Sequence, residues 1–111
     1  IPDSTIVKDG DILGLDIGVE HDGWFGDAAI TMPIGEISKE DEELIACSYD
    51  TLMYAISIIK VGMRFKELSL EIENFIRDRG YVPLHGFCGH GIGRKPHEEP
   101  EIPNYLDSPN P

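Results

Sequence analysis

Between Ile12 and Val19 the chain alternates strictly. Positions 13, 15, 17 and 19 are Leu, Leu, Ile and Val, while 14, 16 and 18 are Gly, Asp and Gly. Period-two alternation predicts a strand with one apolar face, and it sets Asp16 on the other face between two glycines. A turn at Lys8-Asp9-Gly10-Asp11 precedes the strand, and Glu20-His21-Asp22-Gly23 follows it. A Gly in the fourth position suits a type I turn closed by a bulge. A second strand is expected from Trp24 to Ile34, ended by Gly35. If Glu20 pairs with Gly23, Asp16 falls directly opposite Asp27 on one face, with Cβ atoms ~4.5–5.5 Å apart.

The period then changes. Ser38 is a good N-cap, and Glu40, Asp41, Glu42 and Glu43 suit the positive end of a helix dipole. Leu44, Ile45, Leu52, Met53, Ile56 and Ile59 recur at helical spacing and predict a helix to about Lys60 with these residues in the core. A second helix is expected from about Phe65 to Arg79, with Phe65, Leu68, Ile72, Phe75 and Ile76 on one stripe and Gly80 just past its end. Tyr81–Leu84 reads as a third strand, with Pro83 pointing to an edge or bulge. Beyond it, Pro100, Pro103, Pro109 and Pro111 predict an extended or irregular tail. The pattern is α+β, an antiparallel hairpin plus two helices and a further strand, and lacks the alternation of a doubly wound sheet.

Composition narrows the function classes. The 111 residues suit one small domain or part of a larger one. Twenty-one acidic against nine basic residues give a net charge of −12, which disfavours direct binding to nucleic-acid phosphates. Two cysteines, Cys47 and Cys88, are too few for a disulfide framework and suit a reducing cytoplasm. No apolar run approaches the ~20 residues of a membrane span. The start at Ile1 without a Met and the open Asp107–Pro111 end suggest a fragment, a single partial domain over 1–111 truncated at both ends.

Chemistry concentrates in Cys88-Gly89-His90-Gly91-Ile92-Gly93-Arg94-Lys95-Pro96-His97-Glu98-Glu99-Pro100. His90, between two glycines, is a candidate metal ligand. Two aspartates facing each other on a sheet repel. One reading is a solvated face. The other is a pair of hard oxygen ligands for a divalent cation, favoured by the small neighbours Gly14, Gly18, Gly26, Ala28 and Ala29. One His with two Asp suits Mn, Fe(II), Co or Zn. Cys88 is expected to pack beside the site, His85 to be structural, and His97 to face substrate or support the site. The glycines lack the Gly-Lys-Ser/Thr of a phosphate loop.

Taken together, Asp16, Asp27, Cys-Gly-His-Gly-Ile-Gly-Arg at 88–94 and His-Glu-Glu-Pro at 97–100 resemble bacterial type I methionine aminopeptidase, of the pita-bread metallopeptidase family. The resemblance covers essentially the whole chain. Aminopeptidase P and prolidase share the Asp, Asp, His order. The resemblance implies a partial pita-bread fold and two divalent metal ions (Co, Mn, Fe(II) or Zn). Asp16 would chelate one, Asp27 bridge both, and His90 bind the other, with a metal-bridging water as nucleophile. His97 would be catalytic and substrate-binding, contacting the scissile peptide. It further implies removal of N-terminal Met from nascent peptides in the cytoplasm, with ribosome association and a monomeric state as accompanying expectations, and no membrane or nucleic-acid partner. The family draws two more ligands from glutamates further along the chain and uses a histidine just upstream of Ile1. Glu98 and Glu99 match the His-Glu-Glu-Pro segment instead, so residues 1–111 alone are expected to be inactive. Pro96, where many members have an aromatic residue, and Gly18, where they have Thr, bear on the pocket's shape. The alternatives are a non-catalytic binding module of the same fold, a proline-directed relative, and a small mononuclear metal-binding domain complete in itself.

Overall fold

A computed structural model describes residues 3–106. The described elements are β1 (Ile12–His21), β2 (Trp24–Pro33), α1 (Lys39–Ile58), α2 (Phe65–Arg77), β3 (Cys88–Gly91) and β4 (Glu98–Pro103). The architecture is α+β, with two separate two-stranded antiparallel sheets, β1–β2 and β3–β4.

β1 and β2 form a ten-residue hairpin whose register departs from expectation. Glu20 pairs with Phe25, Gly18 with Asp27 and Asp16 with Ala29. The connection is a two-residue turn in which Asp22 and Gly23 both have positive φ, 52° and 77°. That is type I′ geometry, which Asp-Gly favours because its twist matches the flanking strands, and it replaces the bulged type I turn. The Gly23 N–H donates to the Glu20 carboxylate at 2.7 Å. The pairing therefore moves by two residues. Because side chains alternate with period two, Asp27 stays on the Asp16 face but sits one diagonal step away, where Cα separations are ~7–8 Å. The Lys8–Asp11 turn forms as expected, with the Asp11 N–H donating to the Lys8 carbonyl at 3.1 Å.

Ser38 caps α1 by accepting from the Asp41 N–H at 3.1 Å, with Glu40, Asp41 and Glu42 in the first turn. The expected core stripe is not what this helix buries. Leu52 and Ile56 are each 56% exposed, and Leu44, Met53 and Ile59 are also exposed. The buried line is Cys47, Thr51 and Ala55, small residues at i, i+4 and i+8 that let α2 approach closely. Ile45, Tyr49 and Leu52 instead face Gly14, Asp16 and Thr31 across an open cleft of about 770 Å³. α1 touches the first hairpin only lightly, so much of its larger apolar face stays exposed.

α2 contributes Leu68 and Ile72 to the core, which they form with Ala55. Phe65 is exposed. Ile58, Met63, Ile76 and Ile102 pack against that cluster, so β4 is anchored to the helix pair through Ile102. Phe75 stacks on Tyr54 at 4.3 Å. The helix ends at Arg77, two residues before the expected end, and Gly80 turns the chain at φ 83°. The Leu106 N–H donates to the Glu73 carboxylate at 2.8 Å.

Tyr81–Leu84 does not form a strand. Pro83 is buried, Val82 and Leu84 project outward, and no ladder partner lies beside them among the described residues. The third strand is Cys88–Gly91, and the proline-containing segment expected to be extended or irregular is extended over Glu98–Pro103 and pairs with it as β4. Cys88 lies opposite Pro103, Gly89 opposite Ile102 and His90 opposite Glu101. A two-stranded ribbon has a free outer edge, where proline removes no ladder hydrogen bond. The expectation for Pro109 and Pro111 lies outside the described residues.

Candidate metal centre

His90 sits where the β3–β4 ladder breaks register, between His90 and Gly91. Gly91 is required there by close approach. A Cβ at that position would lie 2.8 Å from the Glu98 carbonyl oxygen and closer still to that of Glu99. The break turns the imidazole toward the first hairpin. Nδ1 lies 2.9 Å from the Gly91 carbonyl oxygen. A carbonyl only accepts, so the neutral ring carries its proton on Nδ1 and presents the Nε2 lone pair.

That lone pair meets Asp27. Nε2 is 3.4 Å from Asp27 Oδ2, with the two side chains 22% and 33% exposed. A lone pair and a carboxylate oxygen at this distance attract only with a cation, either a ring proton or a metal, between them. The His97 ring lies against His90 with centroids 4.1 Å apart and planes at 39°. One donor atom from each of Asp27, His90 and His97 falls within 4.8 Å of the others. Neighbouring ligand atoms on one ion at ~2.0–2.2 Å stand ~3–3.6 Å apart, a range that the 3.4 Å between His90 Nε2 and Asp27 Oδ2 meets. Two imidazoles and a carboxylate form a borderline N/O donor set that fits a first-row divalent ion.

The structure thus brings together Asp27, His90 and His97. Asp16 is outside this group, on the same sheet face one diagonal step away, and lines the cleft toward α1. The space beside the carboxylates is open: a Cβ at Gly14, Gly18 or Gly26 would meet nothing within 4 Å. His97, assigned by resemblance to substrate, also stands at ligand distance. Cys88 is exposed rather than packed, and shares an open cleft of about 610 Å³ with His90, Lys95 and His97. The His85 ring tilts against Tyr105 at 4.2 Å. Glu98 spends one oxygen on the Lys95 N–H at 2.9 Å.

Two contributors, Gly93 and Arg94, escaped sequence reasoning. Gly93 accepts a hydrogen bond from the Phe25 N–H at 2.8 Å. Arg94 reaches the Gly23 carbonyl at 3.2 Å and lies 3.9 Å above the Trp24 ring. Gly93 and Arg94 were visible within the histidine motif, but nothing in their spacing announced a partner seventy residues upstream. The resolved pKa shifts lie away from the site. The Leu106 N–H and Arg77 hold Glu73 below the usual glutamate value, and the hydrogen bond to Glu71 raises Tyr54.

A family model for metallopeptidase family M24 matches residues 1–111. The chain belongs to this family. Within M24, it is 64% identical over 107 residues to a methionine aminopeptidase of Helicobacter pylori strain J99, covering 96% of this chain and 42% of that protein. Its structure matches a methionine aminopeptidase from Rickettsia prowazekii with TM-score 0.90 and 32% identity, over 95% of this chain and 42% of that one. It matches the prolidase of Pyrococcus horikoshii with TM-score 0.84 and 25% identity, over 93% and 30%. The chain therefore spans less than half the length of these M24 relatives. The α+β pita-bread expectation holds. Membership of a metallopeptidase family agrees with the donor set at Asp27, His90 and His97. No helix among the described residues is long and apolar enough to cross a membrane.

Proposed function

We propose that this chain is the metal-binding part of an aminopeptidase that removes N-terminal methionine from peptides, using two divalent ions. The observation that carries the reading is the meeting of Asp27 and His90, distant in sequence and on separate sheets, with Nε2 facing the carboxylate at 3.4 Å. Bound divalent ions would lower the pKa of a coordinated water and polarise the scissile carbonyl. Asp27 and His90 would hold one ion, and Asp16 would extend the carboxylate face toward a second. With Nδ1 donating to the Gly91 carbonyl, His90 would offer Nε2 to the ion. His97, in the open cleft beside His90, would donate a hydrogen bond to the substrate's peptide group.

The test is release of Met from a Met-Ala-Ser peptide by the full-length protein carrying this chain, with Mn(II) or Co(II) supplied after chelator treatment. Activity should vanish with chelator and return with metal. Asp27→Ala and His90→Ala should each lower activity by at least ~100-fold, beyond the 10–100-fold of changes around a ligand set. Residues 1–111 alone should release no Met. Preference for an X-Pro dipeptide, or parental activity in His90→Ala, would refute the reading.

A further inference from the structure

We propose that Arg94 is a positioning residue that clamps the β1–β2 turn against the histidine loop and so sets the separation of Asp27 from His90. This rests on the metal-site reading above. The two residues come from separate sheets, with no ladder joining the hairpins among the described elements. Their mutual placement depends on what ties the tip of one to the loop of the other.

That tie runs through consecutive residues on both sides. Arg94 Nη1 donates to the Gly23 carbonyl at 3.2 Å, with the Asp22 carbonyl at 3.4 Å. Its guanidinium carbon lies 3.9 Å from the centroid of the Trp24 ring. The neighbouring Gly93 carbonyl accepts from the Phe25 N–H at 2.8 Å. Residues 22–25 are therefore held by 93–94. Phe25 is two residues from Asp27 on the same strand face, and Gly93 is three from His90, so each end of the clamp is within three residues of a ligand candidate. Gly23 accommodates the clamp: a Cβ there would come within 3.0 Å of Arg94 Nη1.

The chemistry of the clamp is specific to arginine. A planar, weakly hydrated guanidinium stacks on an aromatic face while its edge donates to carbonyls. A lysine ammonium can satisfy one carbonyl but cannot stack flat. Releasing the clamp would let the hairpin twist relative to the loop, and ligand constellations lose function when displaced by ~1 Å. A residue serving stability alone would lower melting temperature without altering the coordination sphere of a bound ion.

The experiment is Co(II) titration of the metal-free full-length protein, followed by the visible ligand-field spectrum, with melting temperature measured in parallel. Arg94→Met should weaken Co(II) binding ~10-fold or more, as changes around a ligand set do, and alter the spectrum at temperatures well below its melting transition. Arg94→Lys should not restore the parental spectrum. Trp24→Phe, which keeps a face for stacking, should bind as the parent, and Trp24→Leu should follow Arg94→Met in direction. Parental affinity and spectrum in Arg94→Met would overturn the proposal while Asp27→Asn and His90→Ala still lose binding. If those two controls bind Co(II) as the parent does, the metal-site reading itself fails and takes the clamp with it. A loss in Arg94→Met that disappears on cooling below its melting transition would assign Arg94 to stability alone and also overturn the proposal.

Discussion

The hairpins β1–β2 and β3–β4 are both two-stranded antiparallel ribbons, yet they present their functional side chains by opposite means. The first is regular over ten residue pairs, and Asp16 and Asp27 emerge from it by alternation alone. The glycines beside them make open space. The second is four residues against six, and its ladder slips at the residue that matters. His90 is aimed by that irregularity, and Gly91 is there because the β4 backbone leaves no room for a side chain. Regularity supplies a flat, roomy carboxylate face, and the defect supplies a directed imidazole. They differ in support as well. β4 is pinned to the helices by Ile102, and the segment after it by Glu73, whereas α1 leaves an open cleft beneath the first hairpin.

The sharpest way to test this contrast is at the core. Leu68→Ala removes a side chain from the cluster on which Ile102 rests and should cost ~2–5 kcal/mol in denaturant unfolding. Ile17→Ala, at a β1 residue that is 60% exposed, should cost less than ~1 kcal/mol in the same assay. Equal losses would mean both hairpins are equally supported. Next in size is a pair of identical substitutions. Gly91→Ala must displace the Glu98–Glu99 backbone and should destabilise by ~1–3 kcal/mol, whereas Gly18→Ala meets nothing within 4 Å and should be neutral or stabilising by up to ~1 kcal/mol. At the turn, Gly23→Ala places a Cβ at φ 77° and should cost ~1–2 kcal/mol. An unchanged unfolding midpoint would argue against the type I′ turn.

The smallest effect is a pH dependence. Glu73 is held below the usual glutamate value by the Leu106 N–H and Arg77. A carboxylate with a depressed folded-state pKa stabilises above its unfolded-state pKa, and that contribution is lost as pH falls through the folded-state value. Parental stability should therefore drop in acid below the normal carboxylate range. Glu73→Gln should lose less than ~1 kcal/mol at neutral pH and show a shallower acid decline. Parallel pH profiles would count against any role for Glu73 in holding the end of β4.

How far the sequence speaks follows the same division. Alternation at 12–19 identified β1, and Gly23 signalled the turn that follows it, though not its type. The register was off by two because the two-residue turn sits one residue later, at 22–23 instead of 21–22, and composition does not fix that position. The face of Asp27 survived, since an even slip preserves it. In α1 the periodicity was right and its meaning was not. Leu52 and Ile56 announce burial more loudly than Cys47, Thr51 and Ala55, yet close helix packing selects the small side chains. β3 and β4 were hidden because glycine and proline dominate them and local propensity argues against a strand. Their pairing is a tertiary fact, held by Ile102 in the helical core. Of the candidate site, His90 was legible from its glycine-flanked motif. The contact of Arg94 with Trp24 was not, because it joins residues that only folding brings together.

The hydrogen bond from His90 Nδ1 ends on the carbonyl of Gly91, a main-chain atom. Second-layer partners of metal-binding imidazoles are often carboxylate side chains, which a single codon change can delete. Here no substitution can delete the acceptor. The ring's tautomer is encoded by the path of the backbone, so drift in the surrounding side chains can retune this centre without switching which nitrogen faces Asp27, provided the strand keeps its slip.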